Sequence, residues 1–181
     1  MTLRVTGGYL GGRRLRSPSG RSTRPTGARV REAWFSAISD RIPGATVLDL
    51  FAGSGALGIE ALSRGAERVT FVESSSTAMA VLRQNVAALD LESRSEFVRA
   101  DVFRTLVRFS EPAAVCDLAL ADPPYDSSFA RQVVQVWLER PFASMLCVEH
   151  ARSGLAGVQP DWTRVYGDTA LSFFIGRGRT E

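Results

Sequence analysis

From residue 46 onward, short apolar runs alternate with amphipathic stretches. Residues 46–51, 68–73, 95–99, 118–121 and 144–149 read as strands. Between them, residues 57–64, 77–89, 102–109 and 129–139 carry helical periodicity. Alternation at this spacing predicts a parallel sheet with helices on both faces. The end breaks the rhythm. Residues 163–166 and 170–175 flank Gly167-Asp168, which predicts an antiparallel hairpin closing the sheet. Upstream, Val30, Ala33, Trp34, Ala37 and Ile38 form one apolar helical face, with Thr26 as its N-cap and Pro43-Gly44 as its end. Arg29 and Arg31 fall off this stripe. Leu3-Arg4-Val5 can pair with Arg14-Leu15 as a short hairpin, and the remainder to Pro25 reads as a mobile loop. The expected organisation is a basic arm over residues 1–26 on the substrate side, followed by one α/β domain over 27–181.

Composition narrows the class. At 181 residues the chain is long enough for one domain with a substantial core. No apolar run reaches the ~18 residues of a membrane span, and the basic N-terminus lacks the apolar core of a signal peptide. A cytoplasmic protein is expected. Cys116 and Cys147 match no zinc spacing and read as buried small hydrophobes, and His150 has no His or Cys near it; no metal is expected. All 22 basic residues are Arg, and eight lie within the first 31 positions, ahead of the first acid, Glu32. A basic arm on a mildly acidic body suggests a polyanionic partner.

Two segments carry chemistry. Gly53, Gly55 and Gly58 follow the first strand in the spacing Gly-x-Gly-x-x-Gly, which permits a tight turn and close backbone approach to a ligand. That pattern fits dinucleotide enzymes as well. Acids then end successive strands: Asp49 just before the glycines, Glu73 after the second strand, Asp101 after the third. An acid at position 73 can accept both hydroxyls of a ribose, and an acceptor at 101 can take an adenine amine. The second segment is Asp122-Pro123-Pro124-Tyr125 at the C-terminal end of the fourth strand, the edge where open α/β sheets bind ligands. Asp122 accepts hydrogen bonds, the Pro123 carbonyl can be held pointing into the site, and Tyr125 offers a stacking face. Acceptors around an exocyclic amine favour its pyramidal, nucleophilic form. A base in a duplex cannot reach such a pocket unless it is flipped or looped out. Phe129 reads as core.

Together these segments resemble the Rossmann-like (class I) methyltransferases that use S-adenosylmethionine. The resemblance implies a mostly parallel seven-stranded sheet, with helices on both faces and an antiparallel C-terminal hairpin. It implies cofactor contacts from Asp49, Phe51, Ala52, Gly53, Ser54, Gly55, Glu73, Asp101 and Val102, with Asp49 placing the loop or the sulfonium end. It assigns Asp122, Pro123, Pro124 and Tyr125 to catalysis. The match runs further. Arg24-Pro25-Thr26, residues 29–33, residues 49–66, Asn85, Val148-Glu149 and residues 166–169 are similar to bacterial 16S rRNA guanine-N2 methyltransferases of the RsmD type. The implied activity is methylation of the N2 amine of one guanine in small-subunit rRNA, assembled or partly assembled, by a monomer. Arg24, Arg29 and Arg31 are the substrate-side candidates. The alternatives are a DNA adenine-N6 methyltransferase, which shares the tetrapeptide but needs a recognition domain that does not fit here, and a non-catalytic RNA-binding protein. A protein-glutamine methyltransferase would carry Asn at position 122, and a nicotinamide oxidoreductase leaves the tetrapeptide unexplained.

Overall fold

The computed structural model describes residues 3–18, 27–109, 116–124 and 128–176. Seven strands form one sheet in the order β3-β2-β1-β4-β5-β7-β6. Strands β1 (Thr46–Leu50), β2 (Arg68–Val72), β3 (Ser95–Val98), β4 (Cys116–Ala121) and β5 (Ala143–Ala151) are parallel. β7 (Thr169–Ile175) lies antiparallel to β5, and β6 (Trp162–Tyr166) antiparallel to β7. Among the described residues, five α-helices cover the sheet: α1 (Ala28–Ala37), α2 (Ala56–Ser63), α3 (Ser76–Ala87), α4 (Val102–Phe109) and α5 (Phe129–Glu139).

The strands are apolar on both faces because both faces are covered. Val47, Leu118, Leu120, Met145, Cys147, Leu171 and Phe173 pack in one core with residues of α1, α2 and α3. Their neighbours along the strands, among them Leu48, Leu50, Ala119, Ala121, Leu146, Val148 and Phe174, pack in a second core with α4 and α5. This period-2 division fixes which face each strand-end residue takes. Register does the rest. Val98, Val72, Leu50, Ala121 and Val148 stand abreast in successive parallel strands. The residues that follow them in β1 to β4 begin the loops of one sheet edge, while β5 runs on to Ala151.

The N-terminal hairpin forms, with Arg4 bridging Arg14, but it is docked into the domain. Val5, Leu10 and Leu15 are buried in the first core. Ser63 of α2 accepts the Leu10 N–H on its hydroxyl at 3.0 Å and donates to the Gly7 carbonyl at 2.6 Å. Gly8 takes a φ of +72°, and a Cβ there would lie 1.9 Å from the Ser63 carbonyl oxygen, so only glycine lets the chain pass this close. Of the stretch up to Pro25 expected to be a mobile loop, Arg16 is held by Asn85, and residues 19–25 lie outside the described residues. So does Thr26; the residue preceding α1 is Gly27, which makes no side-chain cap.

A second correction concerns Arg31. Periodicity places it off the apolar stripe of α1, yet it is 2% exposed and sits against Glu60, which is fully buried. The reason is the docked hairpin, which covers a face of α1 and α2 that periodicity assigns to solvent. Arg31 donates to the Arg4 carbonyl and lies 3.5 Å from Glu60 Oε2. Glu60 also accepts the Thr6 N–H and hydroxyl at 2.7 Å each, and Arg64 Nε at 2.8 Å. One buried carboxylate therefore ties hairpin, α1 and α2 together.

Candidate active site

β1 ends where Phe51 turns the chain into the left-handed region, at φ +59°. A bulky residue rarely holds this conformation, and such outliers gather at functional sites. Gly53 and Gly55 follow with φ +56° and +81°. They play different parts. A Cβ on Gly55 would strike Leu82 at 2.2 Å, so this glycine seats the loop on α3. A Cβ on Gly53 would find only the Phe51 carbonyl, at 3.8 Å, so here the loop faces open space and admits a ligand. Gly58 lets α2 lie on the sheet, where a Cβ would meet the Phe71 ring at 2.3 Å.

The acids divide in the same way. Asp49 is 1% exposed and accepts the Gly58 N–H on Oδ2 at 2.9 Å. It holds the first turn of α2, so of its two expected roles the geometry favours placing the loop. Burial pushes its pKa up to about 8; the Gly58 N–H opposes this, and the charges of Asp122 and Glu73 add to it. Glu73 is half-buried and accepts the Gly53 N–H at 2.9 Å on one oxygen and the Ser75 N–H at 2.7 Å on the other. A carboxylate has about four acceptor sites, so capacity for two hydroxyls remains. Asp101 is exposed and accepts the Arg104 N–H at 3.1 Å, at the start of α4. The neighbouring Val102 is buried, as is Ala52, while Ser54 is half-buried.

A raised pKa in the folded state has a defined consequence. The stability that Asp49 contributes is fully present below its unfolded value, near 3.8, and is lost as pH rises through about 8. Between pH 5 and 7.5 the ligand-free Asp49→Asn variant should show a flatter dependence of stability on pH, by up to about one proton in slope. Urea midpoints across that range measure it.

Asn85, 3% exposed, links the loop to the N-terminus. Its Nδ2 donates to the Ser54 carbonyl and to the Arg16 carbonyl, each at 2.9 Å, and its Oδ1 accepts the Arg16 N–H at 2.8 Å. Spacing gives no warning of this, because Asn85 lies on the helix face that also buries Leu82 and Val86. Phe103 escapes sequence reasoning for a similar reason, having the look of ordinary core. Phe129, expected in the core, stacks on Phe51 with centroids 5.7 Å apart and planes at 12°. Phe103 meets Phe51 and Phe129 edge-on at 6.3 and 5.5 Å. All three rings are half-buried.

The fourth strand brings Asp122 and Pro123 to the same edge, Asp122 half-buried and Pro123 buried, with Pro124 exposed. Asp122 follows Leu118 and Leu120 in alternation, the series that packs on the α1–α2 side of the sheet. Tyr125 and Arg24 lie outside the described residues. Arg29 is exposed on α1. Arg31, held as described, faces the interior and not the surface where phosphate would be met; burial presses its guanidinium pKa down against the opposing pull of Glu60. Cys147 and His150 serve the fold. Burial lifts the Cys147 thiol to about 12. His150 Nδ1 lies 2.7 Å from the Ala151 carbonyl and Nε2 2.8 Å from Ser172 Oγ. Since a carbonyl only accepts, Nδ1 carries the proton.

A glycine loop after β1, acids at the following strand ends and an antiparallel β7 inserted between β5 and β6 define a class I, Rossmann-like methyltransferase fold. Comparison with known proteins agrees. The model of the family described as conserved hypothetical protein 95 matches residues 3–174, and the chain belongs to that family. Ribosomal RNA small subunit methyltransferase D of Escherichia coli (strain K12) is 32% identical over 182 aligned residues, 95% of this chain and 89% of the relative. The protein of the same name from Haemophilus influenzae is 34% identical over 137 residues, 76% of this chain and 71% of the relative. Among solved structures, a hypothetical protein from Thermus thermophilus superposes with a TM-score of 0.84 at 28% identity, covering 96% of this chain and 99% of the other.

Proposed function

We propose that this protein transfers the methyl group of S-adenosylmethionine to the exocyclic N2 amine of a guanine in 16S rRNA of the small ribosomal subunit. The observation that carries the reading is the placement of Asp122 and Pro123 at the edge where the glycine loop and Glu73 also converge. The related small-subunit rRNA methyltransferases support the substrate class.

The donor suits the residues present. Gly53 leaves room for a ligand against the loop, Glu73 retains acceptor capacity for ribose hydroxyls, and Phe51, Phe103 and Phe129 offer an apolar border for a flat ring. When bound, S-adenosylmethionine supplies a methyl group activated by its sulfonium. The protein's task is then positioning. Asp122 and the Pro123 carbonyl accept the N–H groups of the amine and turn its lone pair out of conjugation. Proline suits both positions after Asp122 because it fixes φ and brings no competing N–H donor. As the new N–C bond forms and the methyl–sulfur bond breaks, leaving S-adenosylhomocysteine, the amine nitrogen becomes cationic and gives up one proton, to Asp122 or to water beside it. These steps need no nucleophilic side chain. Exposed Arg4, Arg13, Arg14, Arg16 and Arg29 supply cations toward an RNA backbone.

The test is transfer of labelled methyl to small subunits that lack the modification, followed by nucleoside mass analysis. N2-methylguanosine is the expected product; label in duplex DNA adenine would replace the reading. S-adenosylhomocysteine at 100 times its Kd should stabilise the protein by about 2.7 kcal/mol, read as a Tm increase that NAD does not give.

A further inference from the structure

Glu149 enters none of the steps above, yet it is 5% exposed at the site's edge. Its position follows from register. Leu120 pairs with Cys147 and Ala121 with Val148, the last pair of the register; Asp122 is the first residue beyond β4, next to where β5 continues with Glu149. Neighbouring strands lie about 4.8 Å apart. Facing follows from alternation. Leu118, Leu120, Met145 and Cys147 all pack in the core on the α1–α2 side, and Asp122 and Glu149 continue those two series toward the same side. The influence of Asp122 on Arg31, which belongs to α1, agrees with that facing.

Two neighbouring carboxylates, Glu149 buried and Asp122 half-buried, favour a ligand that presents two donors to them. A guanine does so, because its N1–H and N2–H groups are neighbours on one edge. Adenine and 2-aminopurine instead present a lone pair at N1. A carboxylate that faces such a lone pair is left without its donor, and sites built for a hydrogen bond reject analogues lacking it far more strongly than apolar pockets reject a missing methylene.

We infer that Glu149 is a specificity-determining residue that accepts the N1–H of the target guanine while Asp122 accepts the N2–H of the same base. This rests on the reading of the site as a guanine-N2 transferase. Asp122 then promotes the reaction of the amine, and Glu149 selects which amine-bearing ring enters.

The experiment uses the full chain and small subunits reconstituted with either guanosine or 2-aminopurine at the position that wild type methylates, as mapped by nuclease digestion and mass analysis. Both bases carry the reactive amine; only guanine carries N1–H. Wild type should prefer guanosine by about 100-fold or more in kcat/KM. In Glu149→Gln the amide can donate to a bare N1. Its oxygen can still accept the guanine N1–H, so guanosine should fall only modestly while 2-aminopurine rises, and the roughly 100-fold preference should collapse toward unity. S-adenosylhomocysteine affinity should stay within about twofold, because the cofactor residues are untouched. A purely structural role would lower both bases together; an unchanged ratio in Glu149→Gln overturns the inference. If that variant does not fold, the wild-type ratio decides: equal use of the two bases also overturns it. Absence of N2-methylguanosine from the guanosine subunits with wild type overturns the guanine reading itself, and this inference with it.

Discussion

Asp122→Ala is expected to lower kcat for methyl transfer by about 10²–10³-fold, the scale seen when a single preorganised polar group is removed from a reacting centre. The reason is local. Asp122 is half-buried between the glycine loop and Glu149, in a site where electrostatic interactions are less screened than in water. Its loss removes an acceptor used most when the amine pyramidalises and becomes cationic, so kcat should suffer more than KM. S-adenosylhomocysteine affinity should change little, since Glu73, Gly53 and the phenyl rings stay in place. Single-turnover rates with prebound cofactor measure the first quantity and calorimetry the second. A tenfold rise in KM with kcat intact would assign Asp122 to base binding alone.

Glu60→Ala is expected to destabilise the protein by about 3–5 kcal/mol, the usual cost of removing one partner of a buried ion pair. Glu60 is 0% exposed and Arg31 2%, so water cannot replace the lost carboxylate without opening the core. The same change removes acceptors from Thr6 and Arg64. For a domain of this size each kcal/mol shifts Tm by about 2–4 °C, so a fall of roughly 10 °C is anticipated in a thermal melt. Replacing both Arg31 and Glu60 by apolar residues of similar volume should recover much of the loss, because a well-packed apolar pair spares the desolvation of two charges. Glu60→Gln, which keeps an acceptor for the Thr6 N–H, should fall between.

These variants also mark what the sequence discloses and what it hides. Strand–helix alternation and the closing hairpin are legible because period-2 and period-3.6 patterns are local properties of the chain. Strand ends move by only a residue or two; β5, for example, runs on through His150 to Ala151. The two ligand-edge motifs are legible because glycine and proline act on the backbone wherever they stand, one by freeing it and the other by fixing it. Arg31 is misread because its burial depends on residues 3–18 folding back over α2, a contact that no periodicity in α1 encodes. Asn85 is visible only through resemblance, since its hydrogen bonds join residues 31 and 69 positions away. Glu73 and Asp101 fall at strand ends as expected, but their bonds to backbone N–H groups depend on loop conformation, which composition does not specify.

The docked hairpin has a consequence for how the chain is made. Its anchors lie far downstream: Thr6 meets Glu60 across 54 positions, Gly7 meets Ser63 across 56, and Arg16 meets Asn85 across 69. A ribosome adding about 5–20 residues per second leaves the earliest segment waiting several seconds before α2 and α3 exist to receive it. During that interval Val5, Leu10 and Leu15 remain in water beside a run of arginines that keeps them dispersed. Residues 5–16 thus cannot take up their native contacts before α2 and α3 are made, and their docking closes over the Arg31–Glu60 pair.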